Sequence, residues 1–439
     1  MNHALSLTRE QLGATYRSYG KPREQWRIGG EFERVVLRSD GGVVRYDDAD
    51  GIAALLVRAA ALSGGVLKFE GKNPVEVKLD AAALTLEPGA QVELSGAPYR
   101  RLADLAAEVR RDRALLHTVL AELDHGRGGL HLCSPGLTPY TPIAQIPFVP
   151  KGRYAVMQAY LPDQGPLAHW MMKGTCSVQV NFDYADEADC AAKFYVAASL
   201  APLSVAMFAN SPIAEGKDTG YASYRAHIWT QTDAARTGYP ESIQGGYRHD
   251  AWVDYLLDRP MMFYMRHGAW APAGGVTFAR WAREGIDGVF PTLADWELHQ
   301  TSVFTEVRVK RTIELRSADS VSAELGIAFC ALWTGVLYGA LDACRALADE
   351  MVSAESRGEQ HLAAARSGLQ ATFVGRPAAD WARELVEIGA RGLEAIGEDV
   401  SLLAPLQALV AAGHAPSVAV REAFQRDPSP RNLLPLIAW

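Results

Sequence analysis

Apolar and polar residues alternate with a period of two in short runs before residue 316, then recur every three to four residues to the end of the chain. The run 26–37 predicts a strand, and Ser39-Asp40-Gly41-Gly42 after it predicts a hairpin turn. Further strands are predicted around Leu67 and over 75–79, 84–87, 91–94, 177–182 and 307–315. Helical spacing predicts helices over 6–18, 50–63, 101–123 and 188–209. Thr8 caps the first with Gln11 three positions on, a variant capping box, and Gly64-Gly65 end the second. Proline and glycine punctuate 134–166, which predicts loops. The stretch 210–250 is glycine-rich, aromatic and polar, and too long for a plain connection, so it is a candidate functional loop.

Beyond Ser322 the chain predicts helices with no strand signal. Strands gathered early and helices late favour an α+β fold over a doubly wound parallel sheet. The expected organisation is a catalytic sheet region over 1–320 and a mainly helical region over 321–439, packed as one unit. No internal repeat and no low-complexity tail appears. The longest apolar candidate for a membrane span, 325–341, is interrupted by glycines and predicts a buried helix instead.

Composition narrows the class. Of 439 residues, 49% are hydrophobic and 21% charged, the balance of a folded globular chain. The net charge of −8 offers no basic surface for nucleic acid or an anionic membrane. Five scattered cysteines without a CxxC pair predict neither a disulfide framework nor a structural zinc site. The first 26 residues lack the apolar core of a secretory signal, which makes the expected location cytoplasmic.

Three acidic or mixed-charge strands carry candidate chemistry. Within Gly29-Gly30-Glu31-Phe32-Glu33-Arg34, strand geometry puts Glu31 and Glu33 on one face about 7 Å apart. Such repulsion is tolerated beside a hard cation, or on a wet acidic face. Glu87-Pro88-Gly89 and Gln91 to Glu93 form a second cluster, where Gln91 and Glu93 share a face and glycine allows close approach of a ligand, or simply a turn. Read as one strand, 307–315 has an apolar back of Val307, Val309, Ile313 and Leu315, interrupted by Arg311. Its front carries Arg308, Lys310, Thr312 and Glu314, with Arg316 next in line. Glu314 between Lys310 and Arg316 suits a metal–polyphosphate, and cross-strand salt bridging explains the pattern equally well.

Gln179 and Asn181 share a face of the strand 177–182 and offer uncharged donors and acceptors. The candidate loop concentrates Arg225, Trp229 and Arg236, groups able to clamp a carboxylate or phosphate. No P-loop, no GxGxxG after a strand, no HExxH and no GxSxG occurs. Cys176 predicts packing rather than nucleophilic chemistry.

Seven ordered segments between residues 21 and 319 carry a resemblance: KPREQWRIGGEFER, TLEPGAQVELSGAP, IPFVPKGRY, TCSVQVNFDY, FANSPIAEGK, SYRAHIWTQTD and EVRVKRTIELRSAD. Together they resemble the plant and proteobacterial glutamate–cysteine ligases. The resemblance implies an antiparallel, funnel-shaped sheet of the glutamine synthetase type ringed by helices. It implies ATP-dependent joining of the L-glutamate γ-carboxylate to the L-cysteine amine through a γ-glutamyl phosphate, the first step of glutathione synthesis. By the same likeness Glu31, Glu33, Glu87, Glu93 and Glu314 are expected to hold Mg²⁺. Arg316 with Lys310 is expected at the transferring phosphoryl group. Lys151, Arg153 and Gln179 are expected to help bind the nucleotide. Arg225, Trp229, Asn181 and Arg236 are expected at the amino-acid substrate.

Two departures stand out. The family often has Thr, His and Lys where this chain has Gly30, Phe32 and Arg34, and Ala106 occupies the position of the plant redox-switch cysteine. The expected partners are L-glutamate, L-cysteine and ATP, without nucleic acid or membrane, on a monomer or homodimer. The alternatives are the same chemistry with another amine or a glutamate analogue, and a nucleotide-binding homologue without catalysis.

Overall fold

Strand β1, Ile28–Arg38, organises the molecule because it pairs with three other strands along its 11 residues. The coordinates are a computed structural model that describes residues 7–240, 243 and 246–439. Around β1 lie β2 (Val66–Glu70), β3 (Asn73–Lys78), β4 (Ala83–Leu86), β5 (Val92–Ser95), β6 (Leu130–Cys133) and β7 (Ser177–Phe182). The sheet is completed by β8 (Val307–Val309) and β9 (Ile313–Asp319). Among the described residues the order is β8-β9-β7-β1-β5-β4-β3-β2, with β6 added to the far end of β1, antiparallel throughout. This is the α+β arrangement expected from the chain pattern.

The alternation of the strands separates two faces. Phe32, Leu84, Leu86, Val92, Leu94, Val178, Val180, Val307, Val309, Ile313 and Leu315 are buried on the apolar side. They share one core cluster with Leu325, Phe329, Trp333, Trp381 and Leu406 of the later helices. Burying a side chain of this size contributes about 1.5–3 kcal/mol, so this layer supplies much of what holds the sheet flat against its helices.

Helix α1 (Arg9–Ser18) has the Thr8 and Gln11 capping box, while residue 6 of the predicted helix lies outside the described residues. Helix α2 (Ile52–Ser63) ends at Gly64 in the left-handed conformation, and α3 (Leu102–Leu123) follows its predicted span within a residue. In the region read as loops, Gly152–Tyr160 forms helix α4, and just beyond it Ala168–Gly174 forms α5. Gly152 misled the reading, since a glycine at a helix start costs little. Helix α6 (Glu187–Phe208) is long and apolar enough to cross a membrane, but 83% of its apolar window is buried inside the fold. The candidate loop carries a short helix, α7 (Tyr224–Thr230), and its residues 241, 242, 244 and 245 lie outside the described residues.

The glycine-broken apolar stretch is a helix, Ala323–Thr334, continued by a π-turn at Gly335–Gly339. It crosses Ala378–Ala395 with Gly335 facing Gly389, where a Cβ would lie 2.1 Å from the Gly389 carbonyl oxygen. Helices dominate after Ser322, although Thr372–Phe373 and Arg376–Pro377 pair as a minimal hairpin that carries no pattern signal.

The single strand expected over 307–315 is instead a β-hairpin, β8 and β9, turning at Lys310-Arg311-Thr312. Alternation continues through the turn without a proline or glycine, which hid it. The consequence is that Arg308 lies directly opposite Glu314 instead of six residues along the same strand.

Candidate active site

The polar face of the sheet is built by register. Glu33 on β1 faces Glu93 on β5, and Glu93 in turn faces Thr85 on β4. On the other side Glu31 faces Gln179 of β7, and Asn181 faces Glu314 of β9. Directly paired residues of antiparallel strands project to the same side. Thus Arg308, Glu314, Asn181, Gln179, Glu31, Glu33, Glu93 and Thr85 form one polar surface.

Its acidic half is held under repulsion. Burial raises Glu33 to about 8, helped by the charges of Glu87 and Glu93. Burial raises Glu31 to about 7, with Glu314 and Glu93 adding to it. Glu93 is raised too, first by burial and then by Glu87. Neutral donors partly compensate. The Ser177 backbone N–H donates to Glu33 at 2.5 Å and Gln179 Nε2 at 3.2 Å. Asn181 Nδ2 donates to Glu31 at 2.9 Å, and Thr85 Oγ1 donates to Glu93 at 2.5 Å.

Glu87 arrives through the Glu-Pro-Gly turn. Ala90 adopts a positive φ of 70°, and the Gln91 side chain ties the Gly89 N–H and the Thr175 carbonyl together. A Cβ on Gly89 would meet the Lys173 carbonyl oxygen at 2.2 Å, so this turn requires glycine.

The cationic half surrounds Glu314. Arg308 donates to both its carboxylate oxygens, Lys310 Nζ lies 2.9 Å away and Arg316 Nη1 2.7 Å. Burial alone would raise Glu314, but these three cations outweigh it and hold the group well below the usual carboxylate range. Arg316 also donates to Gln179 Oε1, which links the cationic half to Glu33.

A pocket of about 620 Å³ opens on this face, lined among others by Glu33, Glu87, Arg153, Arg225, Trp229 and Arg316. Arg225 is buried and reaches it from α7. Its guanidinium donates to the Arg316 carbonyl at 2.9 Å and lies 3.7 Å from Asp319, leaving donors over for an anion. Asp319 is itself fixed by Ser211, Ser223 and the Asn210 N–H.

The Trp229 indole N–H and the Arg153 Nε are buried without a hydrogen-bond partner among the described residues. Lys151 donates to the Leu86 carbonyl at 3.0 Å; burial lowers its pKa against the pull of Glu87 and Glu93. Asn181 and Lys310 border a second opening of about 600 Å³ with Thr312, Gln300 and Glu297.

Two of the expected site residues are engaged by the protein itself. Arg236 is fully buried and spends its guanidinium on Asp233, Tyr160 and the carbonyls of Ser302 and Pro260, contacts that pin the loop. Glu314 lies on the expected face, where its oxygens pair with Arg308, Lys310 and Arg316, so here it anchors cations. The sequence reading put Arg308 on the charged front of the strand but gave it no role in the site.

The four remaining glutamates fit a divalent cation by chemistry. Their oxygens are hard ligands, and burial first, with mutual repulsion after it, raises Glu31, Glu33 and Glu93, a cost that an added positive charge relieves. Among the described residues no three ligating side chains are already gathered about one point.

An antiparallel sheet thus carries carboxylates, amides and arginines on one face and packs helices behind the other. Comparison with known proteins supplies the family. The pattern of glutamate–cysteine ligase family 2 (GCS2) matches residues 27–432, and the chain belongs to that family. It is 36% identical over 426 residues to the chloroplastic glutamate–cysteine ligase of Nicotiana tabacum, covering 95% of this chain and 80% of that protein. It is 35% identical to the one from Arabidopsis thaliana, covering 96% and 80%. Among solved structures, the glutamate–cysteine ligase of Francisella tularensis in complex with AMP shares the fold. The TM-score is 0.56 at 14% identity, over 94% of this chain and 87% of that one.

Proposed function

We propose that this chain ligates the γ-carboxylate of L-glutamate to the amine of L-cysteine with ATP, releasing ADP and phosphate. A carboxylate is a poor electrophile, so the glutamate γ-carboxylate first attacks the γ-phosphorus of ATP and becomes an acyl phosphate. Arg225 binds the substrate's other carboxylate in the pocket. Arg316, aimed by Glu314 and Gln179, stabilises the charge that develops on the transferring phosphoryl group, with Lys310 beside it. Attack by the amine then expels phosphate.

Mg²⁺ belongs to this reading. Glu31, Glu33, Glu87 and Glu93 would hold it, and it would supply charge neutralisation for the polyphosphate. We assign the chemistry to the region 1–320 and a supporting scaffold to 321–439. A cytoplasmic location is part of the reading, since all five cysteines are free and buried, which suits a reducing compartment.

One observation carries the proposal: Arg316 and Arg225 line one pocket with Glu33 and Glu87, so cations for an anionic substrate meet carboxylates for a cation. The test is mass spectrometry of products from ATP, Mg²⁺, glutamate and cysteine, each omitted in turn. γ-Glutamylcysteine with ADP, lost on any omission, supports the reading. ADP formed with another amine but not with cysteine would move the assignment to a different acceptor.

A further inference from the structure

A second cleft of about 1180 Å³ lies beside the pocket just described and shares Trp229 with it. Its lining includes Thr237, Tyr239, Glu306, Ser356 and His361. Glu306 stands out. It is 7% exposed, and among the described residues its carboxylate takes part in no hydrogen bond or ion pair. Its oxygens are not among the polar atoms sealed from solvent without a partner, so a cation entering the cleft can reach them.

The position of Glu306 is fixed by the hairpin. The pairing of Val307 with Leu315 makes Glu306 the cross-strand neighbour of Arg316, whose N–H donates to the Glu306 carbonyl at 3.0 Å. The Glu306 N–H donates to Gly238, which locks the candidate loop alongside. Arg316 turns its side chain toward Glu314 and Gln179, and so leaves Glu306 unpaired on the side of the cleft. A carboxylate without a side-chain partner therefore lies across the hairpin from the arginine assigned to the phosphoryl group, in the lining of a cleft that shares Trp229 with that pocket.

We infer that this cleft receives the amine substrate and that Glu306 is its base, an inference that rests on the ligase reading above. The incoming amine is an ammonium ion near neutral pH, and Glu306 binds that charge. Glu306 first takes one proton from the ammonium, which frees the nitrogen lone pair to form the C–N bond to the acyl carbon. The bond between the acyl carbon and the phosphate oxygen then breaks, and phosphate leaves with that electron pair and carries off the second nitrogen proton as hydrogen phosphate. Both protons and the leaving group are thereby accounted for without a further reactant.

The test compares two nucleophiles on Glu306→Gln. Cysteine requires deprotonation. Hydroxylamine is already uncharged at pH 7 and does not. The variant should lose roughly 100-fold in γ-glutamylcysteine formation, the lower end of general-base effects, while γ-glutamyl hydroxamate formation falls less than tenfold. Glu306→Asp, which keeps the charge, should retain more cysteine use than Glu306→Gln.

Equal losses with both nucleophiles in a variant that melts like the parent, no loss with cysteine, or the reverse order of the two variants would each overturn the assignment. A parent enzyme that forms no amide with either nucleophile would instead sink the ligase reading on which this rests.

Discussion

Arg308 grips both carboxylate oxygens of Glu314 across the β8–β9 hairpin, Nη2 to Oε1 at 2.7 Å and Nε to Oε2 at 2.9 Å. Both side chains are almost fully buried. The pair sets the orientation of Glu314, and Glu314 in turn orients Arg316 and Lys310. Arg308 thus acts on the site through Glu314 and does not line the pocket.

Breaking that pair should therefore cost stability first. Arg308→Ala leaves Glu314 with two partners instead of three and should destabilise the fold by about 3–5 kcal/mol, read from urea unfolding. A double-mutant cycle with Glu314→Gln should show strong non-additivity, and additive losses would mean that the pair is not a unit.

Two arginines of one loop should behave oppositely. Arg225→Lys removes a planar fork from the pocket and should raise the KM for glutamate about 10- to 100-fold with little change in melting temperature. Arg236→Lys should lower the melting temperature and leave KM close to the parent value, because its partners are Asp233, Tyr160 and two backbone carbonyls. Steady-state kinetics beside thermal unfolding check both.

Arg316→Lys keeps a charge but loses the geometry fixed by Gln179 and Glu314. It should lower kcat for ADP release about 100- to 1000-fold, with a much smaller change in the KM for glutamate. A change confined to KM would remove Arg316 from the phosphoryl group.

Stability of the metal-free protein should fall as pH rises. Glu31 and Glu33 move from an ordinary value of 4.5 to about 7 and about 8 in the folded state. The native state therefore binds more protons than the unfolded chain between those limits, and stability declines across that window with increasing pH. Glu314 acts in the opposite sense, but only below its ordinary value of 4.5. Melting temperature measured from pH 5 to pH 8.5 should drop, and Glu33→Gln should flatten the drop.

Much of this was legible in the chain. Period-two alternation located most strands of the central sheet, though not β6, and the facing of Glu31 with Glu33, or Gln179 with Asn181, followed from strand geometry alone. What was hidden depended on partners remote in sequence. The type of Arg236 suggested a clamp, but its role is decided by Ser302 and Pro260, 66 and 24 residues away. The partner of Arg308, and Glu306 altogether, were missed because the turn at Lys310-Arg311-Thr312 preserves the alternation that a single strand would show. Only the hairpin register reveals what each of them faces.

The most direct test is to titrate Mn²⁺ by electron paramagnetic resonance in the presence of a non-hydrolysable ATP analogue. The parent should bind the ion tightly with the nucleotide, and Glu33→Gln and Glu93→Gln should each weaken it at least tenfold, while Arg236→Lys leaves it unchanged. Undiminished Mn²⁺ binding in both glutamine variants would contradict the claim that glutamates brought together by neighbouring strands carry the metal–nucleotide.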